Sequence, residues 1–318
     1  MPSFQTTSAL AALKTRIYHD FQKAFTGAPV HSQRLGLYTE MPSDTEYNTY
    51  DWLASMAGMR EWIGPRIVES FKERSFTIYN KHYEKTLEVN ADKLDDSPMS
   101  AIADAAARLA IFMEGARKLE DDLLLNASST AMGAVPGLLG VATTTVCYDG
   151  QYFFDTDHPT DLDGTGTQSN YESTALALNS ANFQTARARM MAFKGENGRP
   201  LGIIPNLLVV PPALEKAARD IVVAEFNSSG ASNTQKGMAT VEVIPELSAL
   251  SDTAWYLFDT ISPGPKPFIL QRRKELTLTA LTGPSDMPVF DRNVFQWGLD
   301  RRVGAGFGIW QKAFKGVA

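Results

Sequence analysis

From Ser75 to Val89 the chain alternates apolar and polar side chains almost residue by residue. Phe76 and Ile78 fall on one face, Thr77 and Tyr79 on the other. After Asn80-Lys81, Tyr83, Leu87 and Val89 share a face, and His82, Glu84, Thr86 and Glu88 take the opposite one. A period of two is the pattern of a half-buried strand, because successive side chains of an extended backbone point to opposite sides. Two such runs about a short polar break predict an antiparallel hairpin, with Asn80, which tolerates positive φ, as the turn residue. This hairpin would be unusually polar, and two strands alone are marginally stable in water. The flanking sequence offers little to cover both faces. Two readings remain open: a hairpin packed on its own domain, or an arm docked on a neighbouring subunit. On the second reading, deleting residues 66–89 leaves a folded subunit that cannot assemble.

A long helix follows. Asp95-Asp96-Ser97-Pro98 is a helix start: Ser97 can cap, Pro98 suits the first helical position, and the acidic pair complements the helix dipole. Met99, Ile102, Ala106, Leu109, Met113, Ala116 and Leu123 then form one stripe at spacings of mostly three and four. If continuous to Asn126, the helix has roughly 28 residues and a length of about 42 Å. Before the alternating stretch, residues 7–25 read as an amphipathic helix with Leu10, Leu13, Ile17, Phe21 and Phe25 on one side. Residues 28–50 have no clear period and read as a loop or extended arm.

The second half mixes strands and helices. Ser180 or Asn182 caps a helix to about Phe193, and Leu207–Val210 is an apolar run like a strand buried on both faces. Pro211-Pro212 stop that strand and start a helix, and residues 227–237 form a polar loop. Strands are expected in ATVEVIPEL and AWYLFDT, and two more within residues 266–283. Near the end, Phe295, Trp297, Leu299 and Arg301 alternate with Gln296, Gly298 and Asp300, and a second strand, Gly304–Phe314, is expected to pair with the first through the polar Arg301-Arg302 region. The fold class is α+β, with helices interspersed among strands.

Little in the chain points to catalysis. The net charge of -6 and the absence of a polybasic run argue against clamping of nucleic acid. One cysteine, Cys147, excludes an intramolecular disulfide framework. A thiol–imidazole pair of Cys147 with His158 is conceivable, but a lone cysteine is more often a small buried residue. Asp155, Asp157, Asp161 and Asp163 cluster around His158, and carboxylates at that density could hold a hard cation. The spacing does not fit an EF-hand, so a solvated surface loop stands against a bound cation. No dinucleotide fingerprint, phosphate loop or nucleophile elbow occurs, and no cofactor is expected. The first residues lack the apolar core of a signal peptide, and no apolar stretch is long enough for a membrane span.

The order of elements, with WIGPR and IYNKHYEKTLEV between Trp62 and Val89, YDGQYFFDTDHP from Tyr148, PNLLVVPPALEKAAR from Pro205 and KPFILQRRKEL from Lys266, resembles the major head subunits of Mu-like phages and prophages. That family has the Hong Kong 97-type major capsid fold. The resemblance implies an N-terminal arm (1–50), an extended β-hairpin loop (51–96), a peripheral domain with the spine helix (97–135), an axial domain (136–285) and closing peripheral strands (286–318). It implies a subunit that self-assembles into hexamers and pentamers of an icosahedral shell, built in the bacterial host cytoplasm. Scaffold and portal proteins would be partners, and packaged double-stranded DNA would be enclosed without sequence-specific binding. Contacts between copies would fall on Arg66, Lys72, Arg74, Tyr79, Lys81, Tyr83, Glu84 and Lys85 of the loop and on Leu10, Leu13, Ile17 and Phe21 of the arm. The alternatives are an encapsulin-type compartment shell of the same fold and a metal-dependent enzyme using the Asp155–Asp163 cluster.

Overall fold

A computed structural model describes residues 36–53, 73–92, 146–160, 166–172, 176–195, 198–227 and 229–318, with isolated helical positions at Ala11 and Thr15. The expected spine helix, most of the arm helix and residues 54–72 lie outside the described residues, as do the side chains of 51–53 and 73–75. The strands are β1 (Tyr38–Pro42), β2 (Tyr47–Leu53), β3 (Glu73–Tyr79), β4 (Lys81–Asn90), β5 (His158–Pro159), β6 (Thr167–Gln168) and β7 (Tyr171–Glu172). Helix α1 (Ser180–Met191), β8 (Leu207–Val210), α2 (Glu215–Val222), β9 (Thr240–Val243), β10 (Ala254–Phe258) and β11 (Phe268–Leu281) follow. Helix α3 (Met287–Arg292), β12 (Val294–Phe307) and β13 (Ala313–Val317) complete the series.

Two larger sheets organise these elements. One has the order β1-β11-β12-β4, the other β7-β13-β10-β8-β9, and β2-β3 forms a separate ribbon. The final segment divides between them: β12 lies in the first sheet, whereas β13 pairs with β10 in the second. Strands β8 and β10 are buried along their whole length, which fits their unbroken apolar runs. Asn179 caps α1, its side chain accepting from the Asn182 N–H at 2.9 Å, in place of the expected Ser180 or Asn182. After Pro211 a 3-10 turn at Pro212–Leu214 leads into α2.

Strands β3 and β4 do not form a hairpin. β3 pairs antiparallel with β2, from Tyr47 opposite Tyr79 to Leu53 opposite Glu73. β4 pairs antiparallel with β12, from Asn90 opposite Val294 to Lys81 opposite Val303. Alternation fixes which face a side chain takes but carries no information about the neighbouring strand. The faces were read correctly: Phe76 and Ile78 are buried, while His82, Glu84, Thr86 and Glu88 are exposed. Asn80 is a buried pivot, not a turn. Its Nδ2 donates to Ser43 Oγ and to the Thr45 carbonyl, each at 2.8 Å, and its N–H donates to the Glu46 carbonyl at 2.9 Å.

The ribbon lies against β12 where glycine bares the backbone. A Cβ at Gly304 would stand 2.6 Å from the Tyr79 carbonyl oxygen, and one at Gly306 2.5 Å from Ile78 Cδ1. Strand β12 also runs straight through Arg301-Arg302, where the junction of two paired strands was expected. Arg301 takes the buried face between Leu299 and Val303, so the alternation continues through the charges. Likewise β11 is one strand, with register shifts between Arg272 and Lys274 and between Lys274 and Thr277.

The joint between the sheets is aromatic. Phe153, fully buried, stacks on Phe268 of β11 and Phe307 of β12, both with ring centroids 5.1 Å away. Its neighbour Phe154 meets Tyr256 of β10 at 5.7 Å. The chain crosses between sheets at residues 259–267 and 308–312, and these crossings touch. Gly308 donates its N–H to the Pro267 carbonyl at 2.8 Å, and a Cβ there would lie 2.1 Å from the Lys266 carbonyl oxygen.

These contacts rank three substitutions. Gly304→Ala and Gly308→Ala press on backbone oxygens that cannot swing aside, and each is expected to destabilise by about 1–3 kcal/mol or more. Gly306→Ala meets the movable end of Ile78 and costs less. Urea midpoints of the purified variants check the order. Because Phe76 and Ile78 belong to the core, deletion of 66–89 is now expected to unfold the subunit, which circular dichroism would register.

Candidate functional site

Pairing of β4 with β12 and of β12 with β11 builds a polar face three strands wide. It presents His82, Glu84, Thr86 and Glu88 from β4, Gln296, Gly298, Asp300 and Arg302 from β12, and Lys274, Thr277 and Thr279 from β11. The reverse side of β12 buries Phe295, Trp297 and Leu299. Asp300 braces the face. Its carboxylate receives Lys274 Nζ and Thr277 Oγ1 from the irregular part of β11, and His82 Nε2 lies 3.1 Å away on β4. The hydrogen bond from Lys274 above all, then that from Thr277, holds the Asp300 carboxyl far below the ordinary carboxylate range; partial desolvation opposes this, and His82 adds to it. Glu88 makes a second brace, accepting from Gln296 Nε2 and, at 3.0 Å, from Arg292 Nη2.

The residues expected to touch neighbouring copies are spread over this region. Tyr79 is 58% exposed and packs against Tyr47 with ring centroids 5.5 Å apart on the outer side of the β2-β3 ribbon. Beside them Thr49 and Thr77 hydroxyls lie 3.3 Å apart. Lys81, Glu84 and Lys85 are exposed on β4. Tyr83 turns inward against the chain's own core, and burial raises its phenol above the usual range. The backbone of Arg74 lies in β3. Leu10, Leu13, Ile17, Phe21, Arg66 and Lys72 lie outside the described residues. The Asp300 brace was missed because it depends on strand pairing: Lys274 and Thr277 reach it across the β11–β12 ladder, and His82 comes from a strand 218 residues away in sequence. An alternating run ending in Arg301-Arg302 was the one available signal, and the charges there masked it.

The acidic cluster is tied into a structural loop. Asp155 accepts the Thr156 N–H at 2.7 Å and the Tyr152 N–H at 3.3 Å. A hydrogen bond with Asp155, with some desolvation, pushes the exposed Asp157 carboxyl up. His158 is fully buried, its Nδ1 2.7 Å from Asp149 Oδ2 and its ring stacked on Trp310 at 3.9 Å. Asp161 and Asp163 lie outside the described residues, and among those described no group of three metal-ligating side chains occurs. Cys147 is buried against Gly308, and burial pushes its thiol well up, the opposite of an activated nucleophile.

With this geometry in place, the family described as Mu-like prophage major head subunit gpT matches residues 10–177, 167–247 and 246–317. The chain belongs to that family. It is 27% identical over 308 residues to the Mu-like prophage FluMu major head subunit of Haemophilus influenzae, covering 97% of this chain and 73% of that protein. To the major capsid protein of Escherichia phage Mu it is 26% identical over 313 residues, with the same two coverages, 97% and 73%. Among solved structures, the procapsid of bacteriophage JBD30 aligns with a TM-score of 0.50 and 26% identity, over 98% of this chain and 75% of that one. The chain is therefore a major capsid protein of the Mu-like type, a structural component of the virion with the Hong Kong 97-type fold. The family match favours a phage head over the encapsulin compartment and the metal-dependent enzyme as the setting in which its surfaces act.

The brace predicts a pH dependence. A carboxylate held low in the folded state stabilises fully above its unfolded pKa, about 4, and loses that contribution as pH falls toward the folded value. The stability gap between wild type and Asp300→Asn should be largest near neutral pH and close below about pH 4. Urea midpoints across that range measure it.

Proposed function

We propose that copies of this chain assemble into hexamers and pentamers of an icosahedral shell that encloses double-stranded phage DNA. The supporting observation is the match to the JBD30 procapsid subunit across 98% of the chain. A scaffold protein directs assembly in the bacterial cytoplasm, and a portal protein occupies an opening in the shell. The net charge of -6 suits a wall that encloses DNA without gripping particular sequences.

In this reading residues 1–50 form the arm and 51–96 the extended segment that reaches toward a neighbour. Residues 97–135 and 286–318 belong to the peripheral domain, and 136–285 to the axial domain around each capsomer centre. The polar face braced by Asp300 suits a shell subunit. Its contacts are individually weak in water, so many copies set the geometry together while any one can be rearranged. Tyr79, Lys81, Glu84 and Lys85 remain the exposed contact candidates of this region, joined by Arg66, Lys72 and Arg74 and by the arm residues Leu10, Leu13, Ile17 and Phe21. The role is structural, without a catalytic step.

Co-expression with the scaffold of the same phage, followed by negative-stain electron microscopy, tests the reading. Rings, shells or tubes are expected. A strictly monomeric protein at high concentration in the presence of scaffold would overturn it.

A further inference from the structure

Helices α1 and α2 differ in how their charges are met. On α2, Lys216 pairs with Asp220 at 2.6 Å and Arg219 with Glu215 at 2.8 Å, so each basic side chain has an acid one turn away. Helix α1 contains no acid at all. From Ser173 to Leu214 the sequence holds four basic residues, Arg187, Arg189, Lys194 and Arg199, against one acid, Glu196, in a chain whose net charge is -6. Arg189 is met by Glu172 at 3.4 Å and lies over the Phe314 ring. Among the described residues no carboxylate pairs with Arg187 or Lys194, and Arg187 Nε is buried without a hydrogen-bond partner.

Helical periodicity sorts the side chains of α1. Phe183, Ala186 and Met190 are buried. Gln184, Arg187 and Met191, spaced at three and four residues, share the opposite side. Lys194 is exposed just past the helix end, and Gln168 clamps its backbone. The Gln168 Oε1 accepts the Lys194 N–H at 2.7 Å, and its Nε2 donates to the Lys194 carbonyl at 3.0 Å. Between the charges the exposed residues are Ala181, Gln184, Thr185, Ala188 and Ala192, all small or uncharged, so an extended partner can approach the helix closely.

The composition of this face selects a partner. The centre of a protein–protein contact is apolar and aromatic. Here Met191 is the one large apolar side chain exposed on α1. Affinity at such a face is electrostatic, which suits a polyanion. The phosphate backbone of double-stranded DNA gains from this kind of contact, because each neutralised phosphate releases counterions. Arg and Lys side chains hold phosphates without reading bases, so a few local contacts agree with an acidic chain that has no sequence preference.

We propose that the solvent face of α1, through Arg187 and Lys194, touches the phosphate backbone of the enclosed DNA. The proposal rests on the shell reading and adds to it the surface that meets the packaged molecule.

Fluorescence anisotropy of the purified full-length chain with a random-sequence DNA duplex, over a range of salt concentrations, tests it. Wild type should bind, with log affinity falling linearly against log salt. Each lost phosphate contact lowers that slope by about 0.9. Lys194→Gln, at an exposed position, should lose about 0.9 of the slope, and the double variant Arg187→Gln/Lys194→Gln about 1.8, with unchanged circular dichroism. Slopes equal to wild type would overturn the proposal. So would variants that bind DNA normally yet fail to assemble with scaffold, which would assign the face to an acidic protein. In DNA-filled heads, a polymer-linked succinimidyl ester too large to enter should spare Lys194, as read by peptide mass spectrometry. Modification there would put the face on the outside and overturn the proposal as well. Failure of wild type to form shells would overturn the shell reading, while the slopes would still decide whether this face binds DNA.

Discussion

Among the described residues, two passages of chain run directly from one sheet to the other, and they touch at Gly308. There the Pro267 carbonyl takes the glycine N–H, and no side chain larger than hydrogen fits beside the Lys266 oxygen. Phe153 fills the angle so formed, stacked between Phe268 at the start of β11 and Phe307 at the end of β12. Everything beyond this joint inherits its geometry. β11 and β12 leave it as a long antiparallel pair, and β13 returns from it to close the five-stranded sheet. Buried His158, stacked on Trp310 just past the crossing, and Asn170, which donates to the carbonyls of Phe153 and Trp310, tie the neighbouring loop to the same place. Asn170 and the Nδ1 of His158 persist so deep because they are hydrogen-bonded.

The two sheets then take different surfaces. The four-stranded sheet presents a charged face braced by Asp300 and Glu88, where each interaction is modest and solvated. Beside the five-stranded sheet, α1 turns outward a side of small and basic residues with no acid of its own. The first face balances its charges within the chain, whereas on the second Arg187 and Lys194 meet no carboxylate among the described residues.

Local patterning carried much of this fold. The apolar run Leu207–Val210, the aromatic run in β10, the amphipathic α1 and the alternating faces of β3 and β4 all follow from the sequence near each residue. Long-range pairing did not. Nothing near Asn80 indicates that β3 belongs to β2 and β4 to β12, because register and partner depend on residues about 30 and more than 200 positions away. The glycines at 304, 306 and 308 carried the needed clue, since glycine within a strand often marks close backbone approach. The Arg301-Arg302 pair misled because two adjacent charges read as a break between strands, whereas one central strand runs through them and Arg301 keeps its place on the buried side. The contact residues were legible by type and exposure only; Tyr83, of the same parity as Tyr79, turned inward because at Asn80 the chain leaves the ladder with β2 and enters the one with β12.

Asn80 has a mechanical meaning. In a single residue the backbone leaves the β2-β3 ribbon and enters the ladder with β12, with no slack between them. A displacement of the ribbon is therefore handed directly to Lys81, the first rung of the β4–β12 ladder, with no loop between to absorb it.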